Sequence, residues 1–223
     1  MSESTMTRQL GKQALLDAAA VLMDERGVDS VTVHDISQAS GHRNRSAVQY
    51  HFGNRDAVIK AVISRSMEPI DAERNVLLDH MEATGAALTT RSVLEVVVRP
   101  LARQLHTPEG RRYFRIGAQL INHPRFMTDA RDAITVNTSI TRCAAYLLPS
   151  LDHLPVPIAV ERTSQVTSFI IRACGDQSRL MDSDPPARPV LSVEDFTVNL
   201  VDTIMTIIQA PTSVASGPDA AGG

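Results

Sequence analysis

The sequence predicts an all-α protein: an N-terminal three-helix helix-turn-helix domain followed by a larger helical domain. Three observations carry that reading. Apolar residues recur at helical spacing along most of the chain, capping signals open several of those segments, and no stretch alternates convincingly in the two-residue period of a strand. The composition agrees, because 43% of residues are hydrophobic but only 4% are aromatic and Trp is absent. Such a core must be built from Leu, Val, Ile, Ala and Met, most of which are good helix formers.

Residues 8–26 form the first expected helix, with Leu15, Ala18, Ala19 and Leu22 on one stripe, widened by Leu16, Ala20 and Met23, and Gly27 as the stop. In "SVTVHDISQAS", Thr32 and Asp35 have the spacing of a capped start, and Ile36 and Ala39 mark the inner side of a short second helix ending before Gly41. Residues 45–52 make a third helix anchored by Val48 and Phe52. Asn54 caps a fourth, in which Ala57, Val58, Ala61 and Val62 recur at helical spacing.

Beyond residue 62 longer apolar-periodic segments follow, at about 68–87, 91–106, 110–122 and 128–148, with kinks or breaks expected at Pro100, Pro108 and Pro124. Residues 149–157 connect to a helix over 158–181, and the proline-rich stretch 182–189 is a loop. Ser192 and Asp195 signal a last helix with a wide stripe of Val193, Phe196, Leu200, Val201, Ile204, Ile207 and Ile208. The division is therefore a helix-turn-helix domain over 8–62, a helical domain over 63–210 and a disordered tail over 211–223.

Cys143 and Cys174 are too few for a disulfide framework or a Cys-x-x-Cys metal site, so they read as buried thiols in a reducing compartment. The opening "MSESTMTRQLGKQ" has no apolar h-region, and no run approaches the roughly 18 apolar residues of a membrane span. A cytoplasmic protein with no membrane partner is expected. No metal-binding His-Glu-x-x-His, nucleophile elbow or phosphate-binding glycine loop occurs, so neither an enzyme nor a cofactor is expected.

The formal net charge of −3 does not by itself suggest a nucleic-acid partner. Its distribution does. Between Gly41 and Lys60, four basic residues face Asp56 alone, a local excess of three positive charges. Screening at ordinary salt acts over about 10 Å, so local charge is what a phosphate backbone meets. On the third helix, the face opposite Val48 and Phe52 carries Arg45, Ser46, Gln49 and Tyr50, whose types suit base edges and phosphates in a major groove. Thr32 is placed to offer a phosphate its hydroxyl and the free backbone N–H groups of its helix start, and Arg55 and Lys60 to neutralise phosphates on the flank. A polar helix face can equally be merely solvated; the order of the parts, with a glycine turn and an aromatic anchor, favours a recognition helix.

The stretch "LLDAAAVLMDERGVDSVTVHDISQASGHRNRSAVQYHFGNRDAVIKAV" resembles the N-terminal DNA-binding domain of the tetracycline-repressor (TetR) family, through its first helix, the "TVHDIS" helix and the "YHF" ending of the third. The turn is one residue longer than is usual there. Asn44 then caps the recognition helix, Arg45 and Ser46 take the family's Lys-Gly places, and Gln49 replaces a tyrosine, with Tyr50 beside it. Which of Gln49 and Tyr50 reaches a base stays open. The DNA-facing set is Thr32, Arg43, Asn44, Arg45, Ser46, Ala47, Gln49, Tyr50, His51, Arg55 and Lys60, with His51 carried over as a contact or merely structural residue.

The resemblance implies a homodimer reading a pseudo-palindromic operator in double-stranded DNA, most simply a repressor released by a small-molecule effector. Residues 158–181 offer independent support for the dimer, with Ala159, Val166, Phe169, Ile170 and Ala173 on a stripe interrupted by Thr163, Ser164, Thr167 and Ser168. Effector candidates are polar residues beside aromatics in apolar stretches: Tyr113, Phe114, Arg115, Gln119, Asn122, Phe126, Asn137, Thr141, Tyr146, Phe169 and Arg172. An apolar or amphipathic ligand is expected, with Arg115 or Arg172 favouring an anionic group. The rival reading is a helical protein-interaction module without sequence-specific DNA binding.

Overall fold

In the computed structural model of the chain, the residues described are 3–41, 47–121, 123 and 138–214, those at 3, 4 and 7 by backbone alone. The capping signals become real helix starts. Nine α-helices run through the described residues: α1 (Glu3–Arg26), α2 (Val33–Ala39), α3 (Ala47–Phe52), α4 (Arg55–Thr84), α5 (Thr90–Arg103), α6 (Pro108–Leu120), α7 (Thr138–Leu147), α8 (Val156–Met181) and α9 (Val193–Gln209). Asn54 accepts the Ala57 N–H at 2.8 Å and Ser192 accepts that of Asp195 at 3.0 Å, as their spacing predicts. No described helix is long and apolar enough to cross a membrane. Cys143 and Cys174 are buried free thiols.

Several boundaries differ from the sequence expectation. The fourth helix and the segment at 68–87 are one helix, α4, which runs unbroken through Pro69, so residues 62 and 63 lie within it. Pro100 likewise sits inside α5. Pro108 is not a break but the first residue of α6, where a missing N–H costs nothing, and Thr107 caps that helix by accepting the Gly110 N–H at 3.0 Å. Most of the segment expected at 128–148, and the tail beyond 214, lie outside the described residues.

Two apolar clusters organise the chain. Leu15, Ala19 and Met23 of α1, Ile36 of α2, Val48 of α3 and Val58, Ile59 and Val62 of α4 make the first, which Ile116 and Leu120 of α6 complete. The second holds Ile70 and Leu78 of α4, the valines of α5, Tyr113 and Phe114 of α6, Cys143, Val166, Ile170 and Cys174, and Phe196, Leu200 and Ile204 of α9. Helix α6 thus contributes to both. Val166 and Ile170 are buried and Ala173 is half-buried within the subunit, so most of the α8 stripe expected at a dimer surface faces inward. The side of α8 left open carries Val156, Val160, Thr163, Ser164 and Thr167.

Helices α6 and α8 approach closely at Gly175. A Cβ there would stand 2.9 Å from the Ala118 Cβ and 3.1 Å from the Phe114 carbonyl oxygen, and backbone cannot give way cheaply. Gly175→Ala is expected to destabilise the fold by about 1–3 kcal/mol, measured by chemical denaturation.

Candidate nucleic-acid interface

The helix-turn-helix is held by local chemistry. Thr32 Oγ1 accepts the Asp35 N–H at 3.2 Å, while Asp35 Oδ2 accepts the Thr32 N–H at 2.9 Å and its hydroxyl at 2.6 Å. These bonds from Thr32, first the hydroxyl and then the N–H, hold the Asp35 carboxyl below the usual carboxylate range, with Arg26 adding to the effect. The hydroxyl proton and N–H of Thr32 are therefore engaged within the cap, which narrows the phosphate role expected of that residue. After α2 the chain turns at Gly41, whose φ of 73° is a left-handed conformation that a glycine adopts without strain.

Helix α3 divides its side chains as its spacing requires. Val48 is fully buried and Ala47 is 6% exposed, both in the first cluster, with half-buried Phe52 packed against it. Burial of Val48 alone stabilises this docking by about 1.5–3 kcal/mol. Ala47, expected among the DNA-facing residues, belongs to the core instead, because it precedes Val48 on the inward face. Gln49 and Tyr50 point outward, Tyr50 with 65% of its surface exposed. His51 is half-buried and meets the Tyr50 ring edge-on, their centroids 4.9 Å apart. Arg43, Asn44, Arg45 and Ser46 lie outside the described residues.

Two cations missed in the sequence reading flank this face. The Arg8 guanidinium lies 5.2 Å from the Tyr50 ring centroid and Lys12 Nζ 5.6 Å from that of Phe52. Their spacing of four on the polar side of α1 was the available signal. Lys60 is exposed in the second turn of α4. Arg55 is not a free flanking cation: Nε donates to the Val31 carbonyl at 2.7 Å and Nη2 to that of Val28. It ties the α1–α2 connection to the start of α4, and Nη1 stands 3.9 Å from Asp56.

Residues 15–62 match the family model described as bacterial regulatory proteins, tetR family. That match spans the first helices, and residues 15–62 are similar to the TetR-family DNA-binding domain. Solved structures, two of them described as TetR-family regulators, share its fold over most of both chains. A regulator from Rhodococcus sp. is 16% identical, with 89% of this chain and 98% of that one covered at a TM-score of 0.57. AmtR of Mycobacterium smegmatis is 16% identical over 89% and 86%, TM-score 0.52. PfmR of Thermus thermophilus is 18% identical over 87% and 97%, TM-score 0.50. No curated protein sequence matches the chain. The chain therefore shares the all-helical fold of these structures, with a TetR-type helix-turn-helix at residues 15–62.

The described effector candidates do not converge on one site. Tyr113 and Phe114 are buried in the second cluster, where the Tyr113 hydroxyl meets the Met67 sulfur at 2.6 Å. Thr141, Phe169 and Arg172 are exposed. Tyr146 donates to Glu82 at 2.8 Å in a surface network with Arg142, and that bond raises its pKa. Asn122, Phe126 and Asn137 lie outside the described residues.

Arg115 and Gln119 face the TetR-family N-terminal domain. Arg115 grips Asp24 of α1 through Nε at 2.7 Å and Nη2 at 2.5 Å, and reaches Asp182, just past α8, through Nη1 at 2.5 Å. Arg111 Nε donates to the same Asp182 carboxylate at 2.7 Å. Gln119 accepts the Val28 N–H at 2.9 Å. The bonds to Asp24 raise the Arg115 pKa against the opposing effect of burial, and those to Asp182 raise it further. This polar face of α6 is engaged by the end of α1, by Val28 and by the end of α8.

The capping box generates a prediction. Thr32→Ala should destabilise the protein by about 1 kcal/mol in thermal unfolding. Because the Asp35 pKa is depressed in the folded state, its contribution is present above the unfolded-state value and is lost as pH falls through the folded one. The deficit of Thr32→Ala relative to the parent should therefore shrink in acid.

Proposed function

We propose that the protein is a homodimeric, ligand-responsive regulator, most simply a repressor that binds a pseudo-palindromic operator and is released by a small molecule. The observation that carries the reading is the bare outer face of α3, with Gln49 and Tyr50 exposed over a fully buried Val48. Base-edge recognition needs a helix docked rigidly on one side and polar on the other. Arg8, Lys12 and Lys60 supply positive charge around it. In the dimer two such helices enter successive major grooves about 34 Å apart. The open side of α8, with Val156 and Val160 beside Thr163, Ser164 and Thr167, is the surface through which two subunits meet.

Residues 8–62 would then hold the DNA-reading function and residues 63–210 the effector and dimer functions, in the cytoplasm. An effector releases DNA only if it binds more tightly to a state whose recognition helices are wrongly spaced. Helix α6 supports the coupling, since Arg115 and Gln119 fasten it to α1 and to Val28.

Selection of bound duplexes from a random pool tests this reading, and a two-fold symmetric motif is expected. On that motif Gln49→Ala or Tyr50→Ala should weaken binding by about 1–3 kcal/mol wherever a base contact is lost, with a steep salt dependence in the parent. Absence of enrichment at low salt, or unchanged affinity in both variants, would favour a protein-interaction module instead.

A further inference from the structure

Arg74 stands where α4 should be apolar. It lies between Ile70 and Leu78 on the buried stripe and is itself only 1% exposed. Its Nε and Nη2 both donate to one acceptor, the Val97 carbonyl, at 3.1 and 2.6 Å. That carbonyl is near Pro100, whose ring interrupts the hydrogen-bond ladder of α5. The remaining nitrogen, Nη1, is buried without a hydrogen-bond partner among the described residues.

A clamp on one carbonyl engages two of the three guanidinium nitrogens and supplies no counter-charge. Nearby Asp71 is occupied elsewhere: its carboxylate accepts the Ser139 N–H at 2.9 Å and hydroxyl at 2.6 Å, and the Thr138 hydroxyl at 3.2 Å. The other titratable groups around Arg74 are Tyr113, Cys143 and Cys174, and burial pushes all of their pKa values up, that of Cys174 to about 12. They are neutral at ordinary pH and supply no counter-charge. The Tyr113 hydroxyl, bonded among the described residues to a thioether, is likewise weakly satisfied. Asp71 attracts the buried charge from a distance but, among the described residues, accepts no hydrogen bond from Arg74, and an interior cation so held is costly unless an anion joins it.

We propose that Arg74 is the anion-recognition residue of an interior effector site, in which Nη1 and the Tyr113 hydroxyl hold the charged group of a small organic monoanion with an apolar body. This rests on the reading of the C-terminal helices as an effector domain. It gives the anion preference expected of Arg115 or Arg172 to a residue that the sequence reading passed over.

The test is thermal melting and calorimetric titration of the full chain with acetate, benzoate, octanoate and salicylate. Each is paired with its uncharged amide at matched ionic strength, and inorganic phosphate and sulfate are controls. At least one organic anion should bind and raise the melting temperature while its amide does not. Arg74→Met should weaken that binding by about 10- to 100-fold, and Arg74→Lys, which keeps a cation but not the planar fork, by less. No anion exceeding its amide in the parent would overturn the proposal, as would equal anion binding by parent and Arg74→Met. If Arg74→Met fails to fold, Arg74→Lys decides: weakened anion preference supports the site and unchanged preference removes it. These readouts contain no DNA, so a failed operator selection leaves them intact. Conversely, response to an uncharged ligand would preserve the effector reading while ending this one.

Discussion

Arg115 lies between two carboxylates that belong to different parts of the chain, Asp24 at the end of α1 and Asp182 at the end of α8. The rest of the architecture depends on that junction. Helix α6 supplies Tyr113 and Phe114 to one apolar cluster and Ile116 and Leu120 to the other, within a single run of 13 residues. Interiors packed at crystal-like density do not absorb displacement, so a helix shared by two cores carries movement from one to the other. The ion pairs add direction to the coupling. The side chains of Arg115 and Asp24 are only 18% and 12% exposed, where removal of one partner from an ion pair costs far more than at the open surface.

The N-terminal domain solves a different problem, which is to leave polar groups bare without losing rigidity. Helix α3 is too short to be stable on its own and is fixed by tertiary contacts through Ala47, Val48 and Phe52. Arg55 reinforces it indirectly by binding the carbonyls of Val28 and Val31, which pins the connection leading into α2. The capping box at Thr32 and Asp35 sets where α2 begins. Consequently the groups left outward on α3, Gln49 and Tyr50, are those with no structural duty among these contacts.

What the sequence made legible follows from the range of each interaction. Caps at Thr32, Asn54 and Ser192 were readable because donor and acceptor lie three residues apart. The anchor role of Val48 was readable from helical periodicity. The backbone contacts of Arg55 were hidden because their acceptors lie 24 and 27 residues away. The partners of Arg115 and Gln119 were hidden for a related reason. Periodicity reveals that a helix has a polar face but not which distant element covers it, and here that element is 91 residues earlier in the chain. The continuity of α4 through Pro69 was also hidden, since a proline marks a break only where the surrounding packing allows one.

Two withdrawn arginines in this molecule show how the same side chain serves opposite purposes. Arg115 is enclosed by carboxylates that more than offset its desolvation, so its pKa rises and its donors are engaged. Arg74 is more deeply buried, has one neutral carbonyl for two of its nitrogens, and its pKa falls because desolvation outweighs the attractions around it. An arginine that only stiffened the fold would gain from the first arrangement and lose from the second. Replacing Arg74 by an apolar residue of similar volume would relieve the desolvation penalty at the loss of a single carbonyl contact. Its position between Ile70 and Leu78, where helical spacing calls for an apolar side chain, is therefore a local conflict of the kind that accompanies function rather than stability.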